Sequence, residues 1–228
     1  MELSKYIDHT NLDRMATKDT ISKLCREAID NHFASVCVHP YYVAMASEEL
    51  KNSNVDVCTV IGFPLGMNTK EVKVYEAIDA VSNGANEIDM VINVSALKNK
   101  AYDYVKDEIE EIRDSIDGKV LKVIIETCCL TDEEIIKATE ICNDCYVNFI
   151  KTSTGFDKGG ATLAAVKLIN EHKSELVEIK ASGGIRDYKT AVEFIEAGAT
   201  RIGTSSGIKI MEEEKNEILW WISMAWSY

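Results

Sequence analysis

Five charged residues lie inside runs of apolar and β-branched side chains. Asp8 falls within Tyr6–Thr10, Asp89 within Glu87–Ile92, Lys122 within Leu121–Glu126, Lys151 within Phe149–Ser153 and Lys180 within Val177–Ser182. On a strand, side chains two apart share a face. Lys122 then sits with Ile124 and Glu126, opposite Leu121, Val123 and Ile125, and Lys180 sits with Glu178 and Ser182, opposite Val177, Ile179 and Ala181. Where helices cover a sheet, the apolar face meets them and the charged face points inward. An unpaired charge there costs several kcal/mol, so these residues pair, shift their pKa or line a wet pocket. For Lys122 and Glu126 a structural ion network serves as well as a pocket. Lys151 and Lys180 end neighbouring strands, where barrel active sites lie. Two ammonium groups roughly 6 Å apart, at an effective dielectric near 20, repel by about 3 kcal/mol, or about two pKa units. Desolvation acts in the same direction. The pattern predicts a lysine partly neutral at physiological pH, able to form a Schiff base with a carbonyl compound, and an Asp89 placed to shuttle protons.

Two glycine-bearing turns follow the last two strand runs: Ala181-Ser-Gly-Gly-Ile-Arg186 and Gly203-Thr-Ser-Ser-Gly207. Exposed backbone N–H groups, hydroxyls and a helix N-terminus cradle a phosphate, and barrels often bind phosphate at these two loops. Arg186 either adds charge to that phosphate or sits on the surface.

The elements that must position these residues alternate along the chain. The remaining strand candidates are Ser35–His39, Val57–Gly62 and Arg201–Ser205. Between the strands, apolar residues recur at helical spacing: Ile21, Leu24, Cys25, Ala28 and Ile29; Val74, Ala77, Ile78 and Val81; Val105, Ile109, Ile112 and Ile116; Ala165, Leu168 and Ile169. Thr131-Asp-Glu-Glu134 reads as a capping box and Asn68-Thr-Lys-Glu71 as a weaker one, while Gly84 and Gly198 stand at helix C-termini. Eight such units predict an α/β protein, a single (β/α)8 TIM barrel over residues 1–228 with an aromatic tail at about 212–228. An open doubly wound sheet is the alternative, weakened by the lack of a G-x-G-x-x-G after the first strand.

Composition narrows the function classes. The 228 residues carry a net charge of −13, which disfavours nucleic acid and anionic membranes as partners. No apolar run reaches the roughly 18–20 residues of a membrane span, and the first residues lack the pattern of a signal peptide. Seven scattered cysteines point to a reducing, cytoplasmic setting. Cys142 and Cys145 have C-x-x-C spacing, but the four dispersed histidines offer no matching ligands. No metal site and no cofactor are expected.

In order and combination, several segments are similar to the deoxyribose-phosphate aldolase family over Tyr6 to about Ile208. They are Ile7-Asp-His-Thr10, Val36-Cys-Val-His-Pro40, Val60-Ile-Gly-Phe-Pro-Leu-Gly66, Glu87-Ile-Asp-Met-Val-Ile-Asn93 and Lys122-Val-Ile-Ile-Glu-Thr127. They continue with Phe149-Ile-Lys-Thr-Ser-Thr-Gly155, Lys180-Ala-Ser-Gly-Gly-Ile-Arg186 and Arg201-Ile-Gly-Thr-Ser-Ser-Gly207. The resemblance implies a metal-free barrel that reversibly cleaves 2-deoxy-D-ribose 5-phosphate to D-glyceraldehyde 3-phosphate and acetaldehyde. It implies Lys151 as the Schiff-base lysine, Lys180 as the residue tuning it and relaying protons, and Asp89 as proton donor and acceptor. Asp8, Thr10, Cys37 and Thr154 would bind the sugar. Gly155, Gly183, Gly184, Arg186, Gly203, Ser205 and Ser206 would bind the phosphate. It also suggests a homodimer or homotetramer.

Some features fall outside that pattern. His39 is read as structural, with substrate contact as the alternative. The vicinal Cys128 and Cys129 are read as packing residues, with oxidant sensing as the alternative. Phe156 brings no charge to the phosphate. All three tryptophans lie in the last nine residues, read as a final helix packed on the barrel or as a subunit contact, with Tyr228 over the active-site mouth as a further alternative. A lysine aldolase or transaldolase for longer sugar phosphates, and a non-catalytic sugar-phosphate-binding barrel, remain as competing functions.

Overall fold

The computed structural model describes residues 2–225. Eight parallel strands close into one barrel in chain order: β1 (Ile7–Asn11), β2 (Ser35–Val38), β3 (Asp56–Ile61), β4 (Glu87–Val91), β5 (Val120–Ile124), β6 (Phe149–Lys151), β7 (Glu178–Ser182) and β8 (Arg201–Thr204). The helices are α1 (Lys18–Asp30), α2 (Val43–Leu50), α3 (Lys70–Ser82), α4 (Val94–Lys98), α5 (Tyr102–Ser115), α6 (Asp132–Asp144), α7 (Leu163–His172), α8 (Tyr188–Glu196) and α9 (Gly207–Ala225). The α/β barrel expected from the sequence is therefore the fold, and each strand lies within two residues of its expected bounds.

The core forms because outward strand residues meet helix stripes. Ile88, Leu121, Val123, Ile150 and Ile179 pack against Ile21, Ile109, Ile112 and Ile169 in one continuous cluster. Several strand-to-helix loops end on a side-chain cap. Thr131 accepts from the Glu134 amide in a full capping box, and Asp187 and Thr162 cap α8 and α7.

Helix α3 departs from its expected face. Lys73, Ala77 and Ala80 are buried, whereas Ile78 is exposed. Lys73 turns inward because its ammonium finds two partners, the Glu108 carboxylate at 2.6 Å and the Val91 carbonyl at 2.8 Å. The weaker capping box fails as well: Thr69, not Asn68, is the N-cap, and it makes no side-chain cap bond. The aromatic stretch belongs to a final helix, as read, since 212–225 continues α9. Residues 215–219 of that helix are exposed rather than packed on the barrel. Trp226 and Tyr228 lie outside the described residues.

Candidate active site

Register brings the inward charges together. Asp89 on β4 is level with Lys122 on β5, Lys151 on β6 with Lys180 on β7, and Lys180 with Arg201 on β8. Inside the barrel their side chains converge on two aspartates. Asp89 Oδ2 accepts from Lys151 Nζ at 2.9 Å and Lys180 Nζ at 2.7 Å, and Asp89 Oδ1 accepts from Lys122 Nζ at 2.8 Å. Asp8 lies 2.5 Å from Lys180 and 2.7 Å from Arg201. Lys122 also reaches Glu87 at 2.6 Å, and Arg201 reaches Glu87 at 3.2 Å. Glu126 takes no part in this network. Its carboxylate instead accepts from the Thr154 amide and hydroxyl.

The electrostatics differ from the expectation of two repelling lysines. Burial alone would lower Lys180, but Asp8 and Asp89 outweigh it and hold the amine above the ordinary lysine range. Lys122 is raised in the same way, against burial, by Asp89 and other neighbours. Burial would raise Asp89, but Lys122, Lys151 and Lys180 hold it well below the carboxylate range. Asp8 is also held low, its burial opposed chiefly by Arg201 and Lys180. For Lys180 the expectation fails, because its ammonium lies between the Asp8 and Asp89 carboxylates. Isolated alternation patterns reveal which residues point inward, not how they pair.

Of the two terminal lysines, only Lys151 lines the large cavity at the C-terminal mouth of the barrel, about 1150 Å³ in volume. The other expected site residues on its wall are Thr10, Thr154, Gly155, Gly183, Gly184, Arg186, Gly203 and Ser205. Asp89 and Lys180 lie one layer below, fully buried. Asp8 is buried within the ion cluster and is not part of the cavity wall. Cys37 is buried with Leu12, Cys58 and Val60 inside the barrel and is not part of the wall. Ser206 is not part of it either, and its amide donates to Thr204 Oγ1.

The phosphate-type loops meet closely. Gly155, Gly183 and Gly184 have φ of +82°, +90° and +86°, a region that favours glycine. A Cβ on Gly160 would stand 2.2 Å from the Gly183 carbonyl oxygen, so the loops after β6 and β7 touch backbone to backbone. Among the described residues, the amides of Gly155, Gly184 and Ser205 donate to no protein acceptor. They are free to receive an anion beside the α9 N-terminus. Arg186 is exposed at the rim, with Arg14 and Lys23 also on the wall.

Several participants escaped the sequence reading. Glu126 stands at φ +53°, a left-handed conformation uncommon for a side-chain-bearing residue, and anchors Thr154. Its inward position was legible, its partner was not. Ser182 Oγ is buried on the wall without a protein partner. Phe63 packs edge-on against Phe156 at 5.2 Å and faces His39. His39 holds the Leu12 carbonyl at 2.9 Å, as its structural reading expects, and it also lines the cavity. Cys128 is exposed and Cys129 half-buried, so the packing reading fails for this pair, whereas Cys142 and Cys145 are buried as expected.

Comparison with known proteins adds an independent line. The family model described as DeoC/LacD family aldolase matches residues 3–213. A deoxyribose-phosphate aldolase of Clostridium tetani is 58% identical over 216 residues, which span 94% of this chain and all of that one. Among solved structures, "QR15, an Aldolase" superposes with a TM-score of 0.92 at 47% identity, covering 96% of this chain and 98% of the other. A structure described as a unique tetrameric deoxyribose phosphate aldolase from Aeropyrum pernix has a TM-score of 0.87 at 34% identity, covering 93% and 91%.

Proposed function

The chain belongs to the DeoC/LacD family of aldolases, and on that premise we propose that it is a Schiff-base deoxyribose-phosphate aldolase. It cleaves 2-deoxy-D-ribose 5-phosphate to D-glyceraldehyde 3-phosphate and acetaldehyde, reversibly. The observation that carries this reading is one shared oxygen. Lys151 and Lys180 both contact Asp89 Oδ2, and only Lys151 opens onto the cavity.

Charge counting supports Lys151 as the nucleophile. Asp8, Glu87 and Asp89 face Lys122, Lys151, Lys180 and Arg201, one cation more than there are carboxylates. Lys122 contacts three carboxylates, Lys180 two and Lys151 one. Lys151 is therefore the lysine of the cluster least tied to carboxylates, and it is the one the cavity reaches.

In the reaction, the Lys151 amine attacks C1 of the open-chain aldehyde and water leaves, giving a protonated imine. A two-carbon product requires the C2–C3 bond to break. The C3 hydroxyl loses its proton and the bond electrons flow to the imine. Glyceraldehyde 3-phosphate departs, leaving a two-carbon enamine. Protonation at C2 and hydrolysis free acetaldehyde and Lys151. Asp89 and Lys180 relay the protons from the layer below. The phosphate is held by the amides of Gly155, Gly184 and Ser205, with Arg186 at the rim. Assembly into two or four copies and a cytosolic setting belong to the same proposal. The tetrameric relative supports the first. The second is supported by seven unpaired thiols and by the absence, among the described residues, of a helix long and apolar enough to cross a membrane.

The test is a substrate panel. Incubation with 2-deoxyribose 5-phosphate is expected to release acetaldehyde and glyceraldehyde 3-phosphate in equal amounts. Faster cleavage of a six- or seven-carbon sugar phosphate would point instead to an aldolase or transaldolase with a larger donor site. Binding without turnover would point to a non-catalytic barrel.

A further inference from the structure

Outside the lysine network, the chain carries an exposed cluster of metal-type ligands. Cys128 and Cys129 follow β5, and Asp157 lies in the loop after β6. One ligand atom from each lies within 4.8 Å of the other two. The fold builds this cluster across 28 positions of sequence, which is why spacing alone did not reveal it. The Cys129 thiol points at Asp157 Oδ2 at 3.3 Å. The other carboxylate oxygen accepts from the Lys158 amide at 2.6 Å, which fixes the group's orientation. Asp157 makes no ion pair with a lysine or arginine among the described residues. Cys128 and Asp157 are exposed, so an ion has a path in.

We propose that Cys128, Cys129 and Asp157 bind one thiophilic divalent cation of the zinc type, tying the turn after β5 to the loop after β6. Two thiolates and a carboxylate suit such an ion and leave a fourth position to solvent. The chemistry balances as an exchange: one M²⁺ enters and two thiol protons leave. The local net charge stays the same, so the phosphate loops nearby feel no added charge. Because metal binding displaces thiol protons, affinity rises with pH. The loop concerned is that of the phosphate site: Gly159 abuts the Cys128 side chain, and Gly160 abuts Gly183. The proposal does not depend on the aldolase reading.

Cobalt(II) titration of the reduced full-length protein tests it. One equivalent is expected to produce a thiolate-to-cobalt charge-transfer band, bleached by one equivalent of zinc. Cys128→Ser and Cys129→Ser should each abolish the band, and Asp157→Asn should weaken affinity at least tenfold, whereas Cys142→Ser should match the wild type. Far-UV circular dichroism and an unchanged melting temperature confirm that each variant is folded. No stoichiometric band at pH 8 overturns the proposal. So does a band that survives both cysteine variants, which would place the ion on the buried group Cys37, Cys58 and Asp89.

Discussion

Asp89 is the residue on which the site turns, because three ammonium groups reach its two oxygens. Replacing Lys180 with Met removes the ammonium that lies between Asp8 and Asp89 and leaves both carboxylates short of a partner. Cleavage should fall by about 10²–10⁴, the usual contribution of a positioned proton-transfer group, and thermal stability should fall with it. Near-wild-type turnover in Lys180→Met would remove it from the mechanism. Glu126 acts differently. Its buried carboxyl, raised above the ordinary range by desolvation, holds Thr154, and the Thr154 hydroxyl in turn accepts from the Phe156 amide. Glu126→Gln keeps an acceptor and sheds the cost of burying a charge, so stability should be equal or higher. Glu126→Ala strands the Thr154 donors and should cost about 1–3 kcal/mol, together with a higher KM for the phosphate ester. Equal KM values for the two variants would show that Glu126 does not position the phosphate loop.

Among the elements, strands were more legible in the sequence than helix faces. A buried strand in a barrel has one apolar side and one functional side, so Lys122, Lys151 and Lys180 marked their own orientation by interrupting apolar runs. Helix α3 did not, because its buried face includes a lysine. Hydropathy cannot show that Lys73 meets Glu108, 35 residues away on α5, with both side chains fully buried. Lys73→Met is expected to cost about 3–5 kcal/mol by leaving Glu108 buried and unpaired, while the double variant Lys73→Met/Glu108→Leu should recover much of that loss. Urea denaturation of the three variants measures it. A double variant no more stable than Lys73→Met would show that the ion pair is not the reason this face is buried. Pairing inside the barrel was illegible for the same reason: alternation gives direction, while Asp8 meets Arg201 across 193 positions of sequence.

At the scale of the whole molecule, the inner ion cluster sets the pH range of stability. Asp8 and Asp89 are held low in the fold, so their stabilisation is complete above the unfolded value near 3.9 and declines as pH falls below it. Lys122 and Lys180 are held high, so theirs is complete below about 10.4 and declines as pH rises past it. The contribution of these groups should be flat between those limits, with Asp8→Asn lowering the plateau and flattening its acid side. Melting temperatures from pH 2.5 to 8 test this, and an acid limb unchanged in Asp8→Asn would contradict it. The barrel thus supplies a neutral-pH scaffold in which the one lysine of the inner ion cluster that lines the cavity is also the one with the fewest carboxylate contacts.

That central claim is tested most directly by trapping. The protein is incubated with acetaldehyde, reduced with borohydride and mapped by peptide mass spectrometry. A single two-carbon adduct on Lys151 is the expected result. An adduct on Lys180 with none on Lys151, or no adduct in protein shown to be folded, would contradict it.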